Sequence, residues 1–229
     1  MSALEVSRPM IVVHHLDHSR SQRVLWLLEE LGLDYEIRRY ARDPKTMLAP
    51  ASLMAVHPLG KSPVISDGDT TLAESGAILE YLVEAYGAGR FAPPPGSPDR
   101  VKYTYFLHYA EGSLMPPLLL KLVFMRLPRS APFFIRPIAG AIASKALASY
   151  VDPQIERHLN FLEGELANRQ WFAGDAFSAA DIQMSFPLEA AAARAGLDGR
   201  RPKLWDFLQR FRARPAYARA LAKGGPTIL

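Results

Sequence analysis

The sequence predicts a chain in two parts: a small α/β domain with a mixed sheet, followed by an all-helical domain. Three observations carry this. Short β-branched apolar runs alternate with helical periodicity before residue 90, a proline-rich stretch occupies 91–98, and helical patterning dominates from Asp99 onward. The expected division is 1–90, a linker at 91–98, and 99–229.

Each element has its own reason. Pro9 to Leu16 is short, apolar and β-branched and runs into polar Asp17-His18-Ser19-Arg20, which reads as a buried strand and a turn. Val24, Leu25, Leu27, Leu28 and Leu31 then recur at helical spacing and stop at Gly32. Leu33 to Tyr40 mixes apolar and charged residues as a second strand would, so the βαβ unit makes the two strands parallel. Pro63 to Ser66 and Thr70 to Ala73 read as a third and fourth strand, joined by the turn chemistry of Asp67-Gly68-Asp69. Ser75 to Tyr86 places Ile78, Leu79, Leu82 and Val83 on one helical face. The prolines of 91–98 can sustain neither helix nor central strand. Beyond them, helices are expected over roughly 99–127, 135–168, 178–195 and 202–222. Ser178 and Asp181 form the signature of an N-terminal capping box, with Phe177 and Ile182 as its apolar flanks, a folding device rather than a reactive one.

Composition narrows the chemistry. The 229 residues contain no cysteine, so disulfides, thiolate metal sites and a cysteine nucleophile are excluded, and any thiol chemistry must use a thiol that arrives with a ligand. Arg126, Arg129, Arg136 and Lys145 interrupt the apolar stretch from Leu114 to Leu147, so no membrane span is expected. Met1 to Met10 lack a basic segment followed by an apolar one, which points to a cytoplasmic protein. The net charge of +4 is uneven: residues 1–90 carry 9 basic and 12 acidic side chains, residues 91–229 carry 18 and 11. The basic residues are scattered rather than gathered along one helix, and a solvated surface is expected rather than nucleic-acid binding. His14, His15 and His18 do not make a metal site, because neighbours on a strand point to opposite faces and no fourth ligand is evident.

The most specific local pattern is His57-Pro-Leu-Gly-Lys-Ser-Pro63 entering an apolar strand, with Ala73-Glu-Ser75-Gly opening a helix. A proline at a strand start belongs in a special turn, and a cis Ser62–Pro63 bond is expected. Taken with Leu16-Asp-His-Ser-Arg20, Trp26-Leu-Leu-Glu-Glu-Leu31, Tyr109-Ala-Glu-Gly-Ser-Leu-Met-Pro-Pro-Leu118 and Phe177-Ser-Ala-Ala-Asp-Ile182, the chain resembles the cytosolic glutathione transferases over nearly its whole length. That resemblance implies a thioredoxin-like first domain that binds glutathione as co-substrate, and a helical second domain lining the pocket for a small hydrophobic electrophile. It also implies a homodimer pairing first and second domains, and possible use of the same thiol for peroxide reduction.

The resemblance assigns the Ser62 backbone, ahead of Pro63, to the cysteinyl part of glutathione, with little role for the Ser62 side chain. It places Glu74 and Ser75 at the γ-glutamyl end, where a helix start attracts a carboxylate, and Lys61 at the glycyl carboxylate. The thiol, near pKa 8.5 if unassisted (about the value of a free cysteine), must be held as thiolate by a donor at the start of the first helix. Ser19 ranks first for this role, then His18, then Ser21, whose competing reading is a helix cap. Tyr109 and Met115 are the candidates for contact with the electrophile. A non-catalytic interaction module of the same fold is the alternative, and a glutathione titration separates the two.

Overall fold

The structure is a computed structural model and describes residues 10–226; Pro9, expected above to begin the first strand, lies outside the described residues. The chain divides into two compact units, one formed by the residues up to Gly89 together with those from Ala213 onward, the other by Arg90–Arg212.

In the first unit a four-stranded mixed sheet has the order β2-β1-β3-β4. β1 (Ile11–Leu16) pairs in parallel with β2 (Tyr35–Tyr40) and antiparallel with β3 (Val64–Asp67), which turns at Gly68 into β4 (Thr70–Ala73). Val13 sits at the centre, opposite Ile37 on one side and Ile65 on the other. The crossover from β1 to β2 is α1 (Ser21–Leu31), which ends because Gly32 takes the left-handed conformation at φ 73° and returns its N–H to the Leu28 carbonyl. A single turn, α2 (Ala51–Met54), precedes the Ser62–Pro63 bond; it is too short to leave a periodic signal in sequence. α3 (Ser75–Tyr86) packs against α1, and Val24, Leu25, Leu28, Ile65, Ile78 and Leu82 are completely buried between helices and sheet. Burial of such side chains, about 1.5–3 kcal/mol each, holds the helix starts in place over the sheet edge.

The second unit begins with α4 (Pro98–Tyr109), whose N–H at Arg100 is capped by the Ser97 hydroxyl at 3.3 Å. It runs through a wide π turn at 110–114 into α5 (Met115–Ser130). α6 (Arg136–Ala146) continues through a second π turn into α7 (Asp152–Glu165), followed by α8 (Ala179–Arg194) and α9 (Pro202–Arg212). Tyr103, Phe106, Phe172, Phe207 and Phe211 form its aromatic core, with Phe172 meeting Phe106 at 4.8 Å and Phe207 at 4.9 Å between ring centroids.

Two expectations are corrected here. The helix read over 202–222 is two, because Pro215 cannot donate within a helix and biases Arg214 to extended backbone (ψ 129°), so α9 stops and α10 (Pro215–Gly224) begins afresh. The residues of α10 do not stay with the helical domain drawn at 99–229. α10 packs on α1 of the first unit, where Arg214 forms a two-pronged pair with Glu30 at 2.5 and 2.9 Å, and Arg219 and Lys223 converge on Glu29 at 2.7 and 2.5 Å. The approach is so close at Gly224 that a Cβ there would run into the side chains of Gln22 and Leu25. Burial pushes the Glu29 carboxyl up, but hydrogen bonds from Lys223, Arg219 and Tyr35 outweigh it and hold the group at about 2.

Candidate active site

The first unit gathers its polar side chains where β1 ends and α1 begins. Asp17 to Arg20 connects them, with His18 at φ 52°, an unusual conformation for a residue with a side chain. Arg42 holds this connection from outside by donating to the carbonyls of Asp17 and His18 at 3.0 and 3.3 Å. Inside it, the Ser19 and Ser21 hydroxyls lie 2.7 Å apart, and Ser62 Oγ is 3.3 Å from Ser19 Oγ. Ser19 is 6% exposed, while Ser21 is fully buried.

The direction of these hydrogen bonds follows from His15. Its Nε2 faces the Gly224 carbonyl at 2.8 Å, which can only accept, so Nε2 carries the proton. Burial lowers the His15 pKa, so the ring is neutral at pH 7 and Nδ1 is an acceptor. Ser21, 2.8 Å away, therefore donates to Nδ1, and its only proton is committed. Ser21 Oγ is then an acceptor for Ser19, as is Ser62 Oγ, whose own proton goes to the His14 carbonyl. The Ser19 proton rests on a neighbouring hydroxyl and can turn elsewhere; the Ser21 proton cannot.

This corrects the reading of Ser21 as the cap of α1. Arg20 occupies the cap position with helical dihedrals and makes no side-chain capping bond, and Ser21 turns away toward His15. Ser19 accepts from the Ser21 N–H at 3.2 Å instead. The Ser62 side chain is also more engaged than the resemblance implied. Its hydroxyl donates to the His14 carbonyl at 3.0 Å, accepts from the Leu16 N–H at 3.4 Å and stands beside Ser19, so it ties the end of β1 to the cis Ser62–Pro63 turn.

The other candidates are dispersed around this point. Ser75 opens α3, buried, and accepts from Arg23 at 2.9 Å; Arg23 is itself 1% exposed. Arg23 escaped the sequence reading because it occupies an ordinary position within the α1 pattern, and only the packing of α1 on α3 brings its charge to a helix start. Glu74 is exposed and sits at φ 70°, a strained backbone at the entry to α3. Lys61 is exposed beside Ser62. His18 is half-buried, and its Nδ1 has no partner among the described residues. The paired histidines are accounted for: His14 meets Tyr40 and Ser66 at 2.9 and 3.1 Å, and His15 meets Ser21 and Gly224.

Tyr109 and Met115 belong to the second unit, both buried. Burial raises the Tyr109 pKa, and its hydroxyl hydrogen-bonds with His158 Nδ1 at 2.5 Å while its ring stacks on Tyr105 at 5.5 Å. In the same unit Asp181 accepts from the N–H groups of Phe172 and Ser178, both at 2.8 Å, and from the Ser178 hydroxyl at 3.0 Å, completing the capping box. Its burial pushes the carboxyl up to about 6 despite those donors. Phe177 packs against Trp171 and Phe91.

A thioredoxin-like α/β unit whose β3 follows a cis proline, joined to a bundle of helices, defines the class, and comparison with known proteins gives the family. Residues 8–84 match the glutathione S-transferase N-terminal domain and residues 120–215 the glutathione S-transferase C-terminal domain. The chain is 38% identical over 197 residues to glutathione S-transferase 1 of Saccharomyces cerevisiae, covering 82% of this chain and 84% of that protein. It is also 38% identical to glutathione S-transferase 3 of Schizosaccharomyces pombe, over 80% of this chain and 74% of that one. Among solved structures, a glutathione S-transferase from Actinobacillus pleuropneumoniae superposes with a TM-score of 0.78 at 32% identity, covering 94% and 93% of the two chains. A sphingomonad glutathione S-transferase complexed with glutathione superposes with a TM-score of 0.71 at 28% identity, covering 93% and 98%. The chain belongs to the glutathione S-transferase family.

Proposed function

We propose that this enzyme binds glutathione on its first unit, ionises the thiol beside Ser19 and directs the thiolate at a small hydrophobic electrophile. The observation that carries the assignment of Ser19 is the committed proton of Ser21. Of the two buried hydroxyls at the start of α1, only Ser19 can redirect its proton to an incoming sulfur. The thiol proton leaves to solvent, the Ser19 O–H stabilises the charge left on sulfur, and the positive end of α1 adds to it. The Ser62 backbone beside Pro63 would pair with the cysteinyl unit, as in a strand addition. Glu74 would face the γ-glutamyl ammonium and the start of α3 at Ser75 its carboxylate, with Arg23 supplying charge behind Ser75. Lys61 would take the glycyl carboxylate. Tyr109 and Met115 are assigned to the electrophile.

We assign the action to the cytoplasm, where a free tripeptide thiol is kept reduced, and the biological role to detoxification, with peroxide reduction by the same thiolate as a second use. A homodimer with two-fold symmetry is the expected assembly, its opposite charge signs in the two halves of the sequence favouring contact between unlike domains. The test of the central assignment is the ultraviolet absorbance of bound thiolate against pH in wild type, Ser19→Ala, Ser21→Ala and His18→Ala. Ser19→Ala should shift the titration upward. If it titrates like wild type while His18→Ala or Ser21→Ala shifts upward, the residue that shifts replaces Ser19. A monomeric mass at micromolar concentration would overturn the dimer.

A further inference from the structure

Four polar side chains and one carbonyl form a row inside the first unit, running from the last helix of the chain to the start of α1. The Gly224 carbonyl faces His15 Nε2 at 2.8 Å, and His15 Nδ1 faces Ser21 Oγ at 2.8 Å. Ser21 Oγ lies 2.7 Å from Ser19 Oγ, which lies 3.3 Å from Ser62 Oγ. His15 is 1% exposed and Ser21 is fully buried, so their protons are placed within the row rather than on bulk water.

Ser19 and Ser21 are the same amino acid, two positions apart, and both sit at the positive end of α1. What distinguishes them is the ring behind one of them. The neutral imidazole carries a single proton, and the nitrogen that holds it sets the direction of the bonds beyond. With the proton on Nε2, His15 donates to the carbonyl, Ser21 donates to Nδ1, and only Ser19 keeps a movable proton. With the proton on Nδ1, His15 would donate to Ser21, and the Ser21 proton would be free as well. That second arrangement sets the lone pair of Nε2 against a carbonyl oxygen at 2.8 Å, acceptor against acceptor. A backbone atom of α10 therefore makes the choice, and one ring transmits it.

We propose that His15 is a positioning residue of the thiol site: held with its proton on Nε2 by the Gly224 carbonyl, it claims the Ser21 hydroxyl and so assigns the donor role to Ser19. Without His15, Ser21 becomes a second donor at the start of α1. This rests on the reading that the glutathione sulfur lies beside Ser19. It gives His15 a duty beyond joining β1 to α10.

Two measurements test it. In the wild-type protein, nitrogen–proton NMR correlation of the His15 ring near neutral pH should show a protonated Nε2 and a bare Nδ1, with and without glutathione. The opposite tautomer overturns the proposal, and this readout holds even where a His15 variant fails to fold. The second is the ultraviolet absorbance of bound thiolate against pH in S19A, S19A/H15L and S19A/H15L/S21A. S19A should raise the thiolate pKa. Adding H15L should bring it back by about half a unit or more, roughly threefold in thiolate fraction at neutral pH, because the released Ser21 hydroxyl takes over. Adding S21A should abolish that recovery. A His15 that served packing alone would lower stability and leave S19A/H15L titrating no lower than S19A, and that result overturns the proposal while the role of Ser19 stands. If S19A itself titrates like wild type, the reading of Ser19 fails first and the proposal falls with it.

Discussion

The helix starts of α1 and α8 each carry a serine, and they use it in opposite ways. At α8, Ser178 and Asp181 close a capping box, and Asp181 also answers the N–H of Phe172. At α1, Arg20 provides no side-chain cap, Ser21 is turned toward His15, and Ser19 keeps a proton that rests on another hydroxyl. A helix start whose polar groups are consumed locally is a folding element, whereas one whose groups are held from outside, by a strand and a distant helix, remains open to an anion.

The largest expected effect lies at the closed start. Asp181→Ala would leave the buried N–H groups of Phe172 and Ser178 without their acceptor, at a cost of about 1–3 kcal/mol for each. Urea unfolding should show a loss of about 3 kcal/mol or more, with thiolate formation in the surviving folded fraction unaltered. A loss below about 1 kcal/mol would mean that this box is dispensable.

Next in size is the open start. Ser19→Ala removes one hydrogen bond to a charged sulfur, about 1.5–3 kcal/mol, or one to two pKa units of thiolate stabilisation. Turnover at pH 7 should fall about ten- to a hundredfold and recover in part as pH rises, since a thiol with a raised pKa still ionises in base. Glutathione affinity should change little. An unchanged pH profile would contradict the contrast between the two helices.

Ser21→Ala sharpens it further. The substitution leaves His15 Nδ1 without a donor and removes the nearer of the two acceptors of the Ser19 proton, leaving Ser62 Oγ. Stability should fall by about 1 kcal/mol, read as a lowered midpoint in thermal unfolding, while the bound thiolate titrates no higher than in wild type. A shift upward by a full unit would make Ser21 the donor.

How far sequence reaches differs between these places for a physical reason. The capping box, the Gly32 stop, the β3–β4 turn and the cis Ser62–Pro63 bond are local, and each is written in residues that touch one another within a short segment. The partner of Ser21 is not local: His15 lies six residues back on β1, and the group that fixes its tautomer, Gly224, is 209 residues away. Nothing in the apolar pattern of 215–224 distinguishes a helix that stays with its neighbours from one that returns to α1; the ion pairs of Arg214, Arg219 and Lys223 with Glu29 and Glu30 decide it. Arg23 was missed on the same ground. The order Ser19, His18, Ser21 came from position along the chain, and hydrogen-bond direction, which orders the two serines, exists only in three dimensions.

The smallest expected effect concerns the support that α10 gives the open start. Glu29 is held at about 2, below its ordinary 4.5, so its contribution to stability is fully present above pH 4.5 and is lost as pH falls from there toward 2. Asp181, raised to about 6, has the opposite sign: its contribution is fully present below 3.8 and is lost as pH rises through 6. Acid between pH 4.5 and 3 should therefore loosen α10 on α1 while the Asp181 term at the start of α8 holds. Amide hydrogen exchange reads the two separately, and α10 amides should lose protection earlier than those of α8. Arg219 and Lys223 are about half exposed, so solvent screens the pairing and Glu29→Gln should cost only about 1 kcal/mol at pH 7. Its signature is the pH dependence: with no carboxyl to protonate, the acid-induced loosening of α10 should flatten between pH 4.5 and 3. If α10 in Glu29→Gln still loosens with the wild-type profile, the tether is carried by Arg214 and Glu30, and the His15–Gly224 contact depends on that pair instead.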